Sequence, residues 1–341
     1  MTTHRPNKQH TYDVLVVGCG GWGLAVLKVL QELGIDVLGI ERGEICHNLT
    51  TYMPTMTVHS PLPYIVLDPD DSLLAERGDA YHSTIEELIQ SYTAFAAKYR
   101  LPIKTHSTLC DIRGERGDFA LTVRENETDI NYKSRLVVLA TGTYDTPNLL
   151  GIPGEQDSAV HHYFAEWQHI RDQRLLFIGG GFSSADGIAA LCPFNEVVWV
   201  TQKKLDAIEQ ILHDQKTKWG QPDAKIINTQ ILPESLVYSL AEKTALIHTP
   251  DGKRSWPFDQ CFMLLGHRSD EPLMQRILGD NRSHDELTFE SQACPGIYLV
   301  GALAQKHLEH IGLTNKLCPG NEGVRHIDKV VDAIMASGIL R

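Results

Sequence analysis

The stretch Asp13-Val14-Leu15-Val16-Val17-Gly18-Cys19-Gly20-Gly21-Trp22-Gly23 decides how this chain folds. The apolar run after Asp13 reads as a short strand buried on both faces. The glycines that follow at once fill the spacing G-x-G-x-x-G. Gly18 permits a tight turn, Gly20 lets the backbone approach a pyrophosphate, and Gly23 lets a helix pack closely on the strand. Residues 24–33 then read as a helix ended by Gly34, and its N-terminus offers amide donors and a positive dipole end. Residues 35–41 read as the next strand. Glu41 lies at its end, 18 residues beyond Gly23, where a carboxylate can accept hydrogen bonds from an adenosine ribose, and Arg42 follows it. Gly18, Gly20, Gly21, Trp22, Gly23, Glu41 and Arg42 are therefore the candidate contacts of a first dinucleotide.

A second unit of the same kind begins at Arg174. A strand over 175–178 runs into Gly179-Gly180-Gly181-Phe182-Ser183-Ser184, a helix continues to 191, and a strand follows over 196–200. Ser184 stands where a third glycine is usual, and a small residue still permits close packing. No acid closes the following strand; Thr201, Gln202, Lys203 and Lys204 stand there. An acid would repel a ribose 2′-phosphate and lysines would attract it, which favours NADPH over NADH unless both lysines are simply solvated. Gly179, Gly181, Ser183, Ser184, Lys203 and Lys204 are the candidate contacts. Two nicotinamides in one chain would be redundant. A tightly held FAD and a visiting NADPH fit a hydride relay.

The rest of the chain fits around these motifs. Residues 135–140 form another buried strand, ending in Thr141-Gly142. Residues 43–82 lack clean periodicity, and prolines 54, 61, 63 and 69 forbid a long regular element. A helix begins near Ser83 or Thr84, each followed three residues later by glutamate as in a capping box. Residues 205–255 look less regular and read as an insertion facing substrate. Strands follow over 260–266 and 296–300, and a last helix carries Val324, Ile327, Val330, Val331 and Ile334 on one stripe. The expected fold is α/β, with two Rossmann-like, three-layer dinucleotide-binding domains. Residues 1–150 with 288–341 would form a discontinuous FAD-binding domain, and 151–287 an inserted NAD(P)H-binding domain.

Composition narrows the function. The 341 residues carry a formal charge of −12, which opposes a nucleic-acid partner. The seven cysteines contain no C-x-x-C pair, and no disulfide framework is expected. The polar start lacks the apolar core of a signal peptide, and no run approaches the roughly 18 apolar residues of a membrane span. The cytoplasm is the expected location, with a small-molecule substrate, no membrane partner, and room for a homodimer. The 16 histidines include no H-E-x-x-H and no cysteine–histidine ligand set, so no metal is expected.

These residues resemble the two-dinucleotide-binding flavoprotein superfamily, the glutathione-reductase-like fold. The likeness rests on 18–23 with Glu41, Ala140-Thr141-Gly142, Pro147, 151–154, 179–184 and 296–301. It implies that Thr141 and Gly142 pass near the flavin or the crossover between domains, and that Gly301 and Ala302 approach its pyrophosphate and ribityl chain. Ala302 stands where many relatives carry aspartate. In layout the chain is similar to bacillithiol-disulfide-reductase-like proteins, through 52–60, 162–164 and 321–323. Their proposed redox cysteine directly precedes the last glycine of the first motif, and Trp22 occupies that position here. Residues 141–147 and 151–154 resemble the corresponding stretch of flavin monooxygenases.

Three residues are candidates for the chemistry. Trp22 either stacks on a flavin or substrate ring or is packing. His59 either meets the flavin or substrate or is a satisfied loop histidine. His310, within a segment holding Lys306, His307, Glu309, Asn315 and Lys316, could move a proton. The leading expectation is an NADPH-dependent monooxygenase that activates oxygen as a flavin hydroperoxide. The alternatives are a reductase of a small disulfide or other small acceptor, and a flavin-bound scaffold without turnover.

Overall fold

In the computed structural model, residues 10–165, 167–218, 226–269, 271–279, 283–304 and 323–340 are described. His310 and its neighbours from 305 to 322, Cys318 included, lie outside them. The chain forms two compact units. One comprises 1–48, 60–143 and 269–341, and the other 49–59 and 144–268.

The first unit opens with β1 (Thr11–Val17), α1 (Gly21–Glu32) and β2 (Val37–Ile40), the βαβ unit read from the opening motif. Val14–Val17 are almost wholly buried, as a strand covered on both faces requires. Helix α2 (Ile85–Lys98) starts at Thr84. The Thr84 hydroxyl accepts from the Glu87 amide at 3.2 Å, and the Glu87 carboxylate accepts from the Thr84 amide at 2.9 Å. Of the two capping boxes in the sequence, this is the one that forms. Then come β3 (Ile103–Lys104), β4 (Ser107–Glu115), β5 (Asp118–Glu125) and β6 (Thr128–Leu139).

The sheet runs β3-β2-β1-β6-β5-β4. Strand β6 serves two structures. Its first half pairs antiparallel with β5, from Thr128 opposite Glu125 to Ser134 opposite Phe119, and its second half runs parallel to β1. A β-meander is thereby welded onto the parallel sheet. Between 43 and 82 the prolines leave only short turns of helix, Leu62–Ile65 and Ser72–Arg77 the clearest.

The second unit begins with β7 (Thr146–Pro147), β8 (Val160–His161), β9 (Arg174–Ile178), α3 (Phe182–Leu191), β10 (Glu196–Val200) and α4 (Leu205–Lys218). It continues with β11 (Thr229–Leu232), β12 (Leu236–Ser239), β13 (Thr244–Thr249), β14 (Gly252–Pro257), β15 (Gln260–Met263) and β16 (His267–Arg268). Its parallel sheet runs β11-β10-β9-β15-β8. Phe177 and Phe262 stack in its core with ring centroids 4.8 Å apart. The stretch expected to be irregular, 205–255, is instead α4 followed by β11 and the antiparallel meander β12-β13-β14. Its strands are only four to six residues long, and the chain turns through Glu242 and Lys243 at positive φ, so the burial of Val237, Ala245 and Ile247 leaves only a brief periodic signal.

The chain then returns to the first unit through α5 (Glu271–Leu278), β17 (Ile297–Leu299) and α6 (Gly323–Ala336). Strand β17 pairs parallel with the second half of β6, and Ile327, Val330, Val331 and Ile334 are buried where α6 meets α1. Each such side chain contributes roughly 1.5–3 kcal/mol. Among the described residues no helix is long and apolar enough to cross a membrane.

One ion pair ties neighbouring strands of the second sheet. The Arg174 guanidinium reaches both oxygens of Asp259, at 2.8 and 3.1 Å, and the Arg174 amide donates to Asp259 Oδ2 at 2.8 Å. The Arg174 side chain and then its amide hold the Asp259 carboxyl at about 2. A carboxyl depressed on folding stabilises the fold above its unfolded value of about 4, and that contribution is lost as pH falls toward the folded value. The side chain is 39 % exposed, and solvent screening reduces the effect. Asp259→Asn is expected to cost about 1 kcal/mol in urea unfolding at pH 7, with the difference from the parent shrinking between pH 5 and pH 3.

Candidate dinucleotide sites

The first glycine loop is shaped by what a side chain would strike. Gly18 has φ +93°, and a Cβ there would stand 2.6 Å from the Ala140 carbonyl oxygen. At Gly23 a Cβ would come within 1.9 Å of the Gly18 carbonyl oxygen. These two glycines seat α1 directly on the end of β1. Gly20 is different: its backbone is extended, and a Cβ would meet nothing within 4 Å. As the N-cap of α1 it offers no side chain to the first-turn amides, which remain available to a ligand together with the adjoining Gly21.

Glu41 is buried at the end of β2. Its Oε2 accepts from the Cys19 amide at 2.7 Å, and its Oε1 from the Gly43 amide at 3.3 Å. The carboxylate is therefore fixed against the loop with lone pairs to spare for hydroxyl donors. The Arg42 guanidinium is bonded to Asn48. Thr141 follows the end of β6, and its buried hydroxyl has no hydrogen bond among the described residues. Gly142 beside it has φ +74° and open space around it.

Trp22 is buried in the first unit. Its ring meets His326 edge-on at 5.1 Å, and a Cβ on Gly301 would collide with it at 2.6 Å. The Gly301 amide donates to His326 Nε2 at 3.4 Å. The indole packs between α1 and the turn after β17. Ala302 is buried in that turn.

The second loop repeats the first with different means. Gly179 has φ +126°, and a Cβ would come within 2.3 Å of the Leu264 carbonyl oxygen. A Cβ on Gly180 would come within 2.3 Å of the Thr201 hydroxyl and 3.0 Å of the Lys203 stem. Gly181, the N-cap of α3, faces open space as Gly20 does. Trp199 of β10 donates its indole N–H to the Gly179 carbonyl at 2.6 Å. A buried indole needs an acceptor, and this one fixes the first residue of the loop. The sequence offered no signal for that bond, since a tryptophan in a buried strand reads simply as core.

Ser184 fills the third glycine position without exposure, its hydroxyl unbonded among the described residues, and Ser183 precedes it in the first turn. Lys203 and Lys204 are exposed, and the Lys203 amide donates to the Thr201 hydroxyl at 3.1 Å. His59 belongs to the second unit. Its ring packs edge-on against Phe182 at 4.6 Å, and its Nε2 lies 3.5 Å from Asp186 Oδ2. Asp186 is buried and also accepts from Gln215 at 2.5 Å.

The cysteines can be read at the same level. Cys46 donates its amide to the Cys19 carbonyl at 3.2 Å, so two cysteines far apart in sequence meet beside Glu41. Both are buried. Burial, and after it the Glu41 carboxylate, push both thiols well above their ordinary range. Among the described residues no group of histidines, cysteines and carboxylates is arranged to hold a metal.

The glycines separate into two classes with different expected tolerance. Gly23→Ala and Gly179→Ala drive a Cβ into backbone and should each cost at least about 3 kcal/mol in urea unfolding. Gly20→Ala and Gly181→Ala meet open space at extended φ and should stay within about 1 kcal/mol of the parent.

Comparison with known proteins agrees with this geometry. The bacilliredoxin reductase of Bacillus subtilis is 26 % identical over 177 residues, covering 52 % of this chain and 52 % of that protein. The chain thus spans about half the length of that relative. The structure of the bacillithiol disulfide reductase of Bacillus cereus superposes with a TM-score of 0.76 at 18 % identity, covering 96 % of this chain and all of that one. The flavin-containing monooxygenase of Stenotrophomonas maltophilia follows at 0.70 and 18 %, covering 95 % and 99 %. Both structural likenesses speak to fold alone. The sequence pattern of the pyridine nucleotide-disulphide oxidoreductases matches residues 15–301, from β1 through Gly301. With both glycine loops inside that match, the chain belongs to the pyridine nucleotide-disulphide oxidoreductase family and is an FAD-dependent pyridine nucleotide oxidoreductase.

Proposed function

We propose that the first loop holds FAD, that the second holds NADPH, and that the enzyme uses molecular oxygen to oxygenate a small nucleophilic substrate. FAD and NADPH are the cofactors of this class of enzyme. When bound, FAD supplies the two-electron relay between NADPH and the acceptor. The chain's own contribution is binding and orientation. The open backbone at Gly20 and Gly181 admits a pyrophosphate to each helix N-terminus, and Glu41 is fixed to accept from the adenosine ribose. The unbonded hydroxyls of Thr141 and Ser184 fit polar guests at the two loops. His59, seated on Phe182 at the start of α3, is assigned to the NADPH side.

The acceptor reading is carried by one observation, the state of the thiols at the first loop. Disulfide reduction through the protein needs an attacking thiolate and a resolving partner. Cys19 and Cys46 are neighbours, but their burial beside a carboxylate keeps them protonated and shielded. Trp22 stands where a redox cysteine would precede Gly23. A second reading, reduction of a small disulfide without a protein thiol, is favoured by the likeness to the bacilliredoxin reductase.

Product balance separates the two. With NADPH and air, screening small amines, thioethers and ketones, the first reading predicts one oxygenated product per NADPH for at least one class, with little hydrogen peroxide. Stoichiometric conversion of bacillithiol disulfide to thiol under anaerobic conditions, with no oxygenated product in air, would establish the second reading instead.

The nucleotide preference has its own test. The Lys203 stem lies beside Gly180, and an ammonium at this loop would attract a 2′-phosphate. The double change Lys203→Ala with Lys204→Ala should weaken NADPH binding by about tenfold, worth roughly 1.4 kcal/mol, and leave NADH binding within about twofold. Equilibrium titration with each nucleotide measures both.

A further inference from the structure

The second unit carries an open cleft of about 1060 Å³ at the end of its parallel sheet opposite its glycine loop. Strands β9 and β10 begin there, at Arg174 and Glu196. Gly179 follows the other end of β9, so five residues of extended chain, roughly 16 Å, separate the cleft from the second loop. The volume suits a small organic molecule.

The walls are fixed by the protein's own bonds. Asn195 is buried; its amide nitrogen donates to the Ile170 and Leu191 carbonyls at 3.0 and 2.9 Å, and its oxygen accepts from the Gln173 amide at 3.1 Å. The Glu196 amide donates to the Gln173 carbonyl at 3.0 Å, so the backbone of residue 173 is held on both sides. Phe194 also lines the cleft and is 48 % exposed. The Arg171 guanidinium lies over its ring at 3.8 Å. It is anchored there through Nη1, which donates to the Gln168 and Ile170 carbonyls at 2.7 and 2.8 Å.

These walls describe a guest by what they lack. The Trp256 indole N–H and the Gln173 side-chain oxygen are buried and have no hydrogen bond among the described residues, and both residues line the cleft. A buried polar atom without a partner costs roughly 1–3 kcal/mol. The indole needs an acceptor and the glutamine oxygen a donor, and an amide edge supplies both. The charged side chains of the lining are Arg171, Arg174, Asp172 and Glu196, two of each sign, and Arg174 is already paired with Asp259. Without an excess of cations the cleft is not built for a phosphate, and an uncharged guest fits it better. The exposed Phe194 ring with Arg171 over it offers a surface on which a flat ring can stack. We propose that this cleft binds an uncharged planar ring with an amide edge, the chemistry of a nucleobase or of free nicotinamide. The site is separate from the second dinucleotide loop and independent of the acceptor the enzyme uses.

The test is an NMR titration of the holoenzyme labelled with ¹⁵N-tryptophan, in which the Trp256 indole signal is assigned with Trp256→Phe. Hypoxanthine and nicotinamide are added separately, with and without saturating NADP⁺. The Trp256 signal is expected to move downfield and saturate with at least one probe, with an affinity that NADP⁺ changes by no more than about twofold. Hypoxanthine alone would assign a ring lactam, and nicotinamide alone an open carboxamide. Quinoline, flat but without an N–H, should bind about tenfold more weakly. Calorimetry should show about tenfold weaker binding of the same probe in Trp256→Phe, which keeps a ring but loses the donor, as the loss of a hydrogen bond to a buried group implies. Arg171→Ala, an exposed change, should weaken it to a similar degree. A Trp256 signal indifferent to both probes, equal binding of quinoline, unchanged affinity in both variants, or displacement of the probe by NADP⁺ would overturn the site.

Discussion

The contact on which this structure depends is the approach of α1 to its own strand turn, where a Cβ on Gly23 would sit 1.9 Å from the Gly18 carbonyl oxygen. No side chain fits there, so the helix starts against the end of β1 with its first-turn amides aimed outward. Everything else in the first unit is arranged about that start. Glu41 clamps the loop through the Cys19 amide, Trp22 locks it to Gly301, and α6 covers the far side of α1. The second unit reaches the same result by other means. Gly179 is pressed against the Leu264 carbonyl and held by the Trp199 indole, and Ser184 replaces the third glycine. One backbone geometry is built twice, with independent side chains.

The two loops differ in what surrounds them, and that difference carries chemistry. A carboxylate closes the first, and it both suits a ribose and discourages thiolates at Cys19 and Cys46. A threonine and two lysines close the second. Burial, and after it that same carboxylate, raises both thiols above their ordinary range.

Much of this was legible in the sequence because glycine spacing and strand periodicity are local signals. The opening βαβ unit, the Thr84 capping box and the apolar stripe of the last helix all appeared where their residues implied. What stayed hidden depended on contacts between distant segments. The meander within 205–255 gave little periodic signal because each of its strands is only four to six residues long. Cys46 meets Cys19 only because the chain after β2 doubles back. The Tyr52 ring meets Tyr144 only because 49–59 belongs to the second unit. His59 was expected beside the flavin, and the same crossing sets it against Phe182. The packing of Trp22 against Gly301 and His326 likewise joins segments far apart in sequence.

The central claim is that the first loop holds FAD and the second holds the pyridine nucleotide. Chromatographic analysis of the flavin released on denaturing the parent, Gly20→Ala and Gly181→Ala proteins tests it most directly. The account predicts close to one FAD per chain in the parent and in Gly181→Ala, and FAD largely lost from Gly20→Ala although that variant remains folded. Full FAD in Gly20→Ala with loss from Gly181→Ala, or FMN in place of FAD, would contradict it.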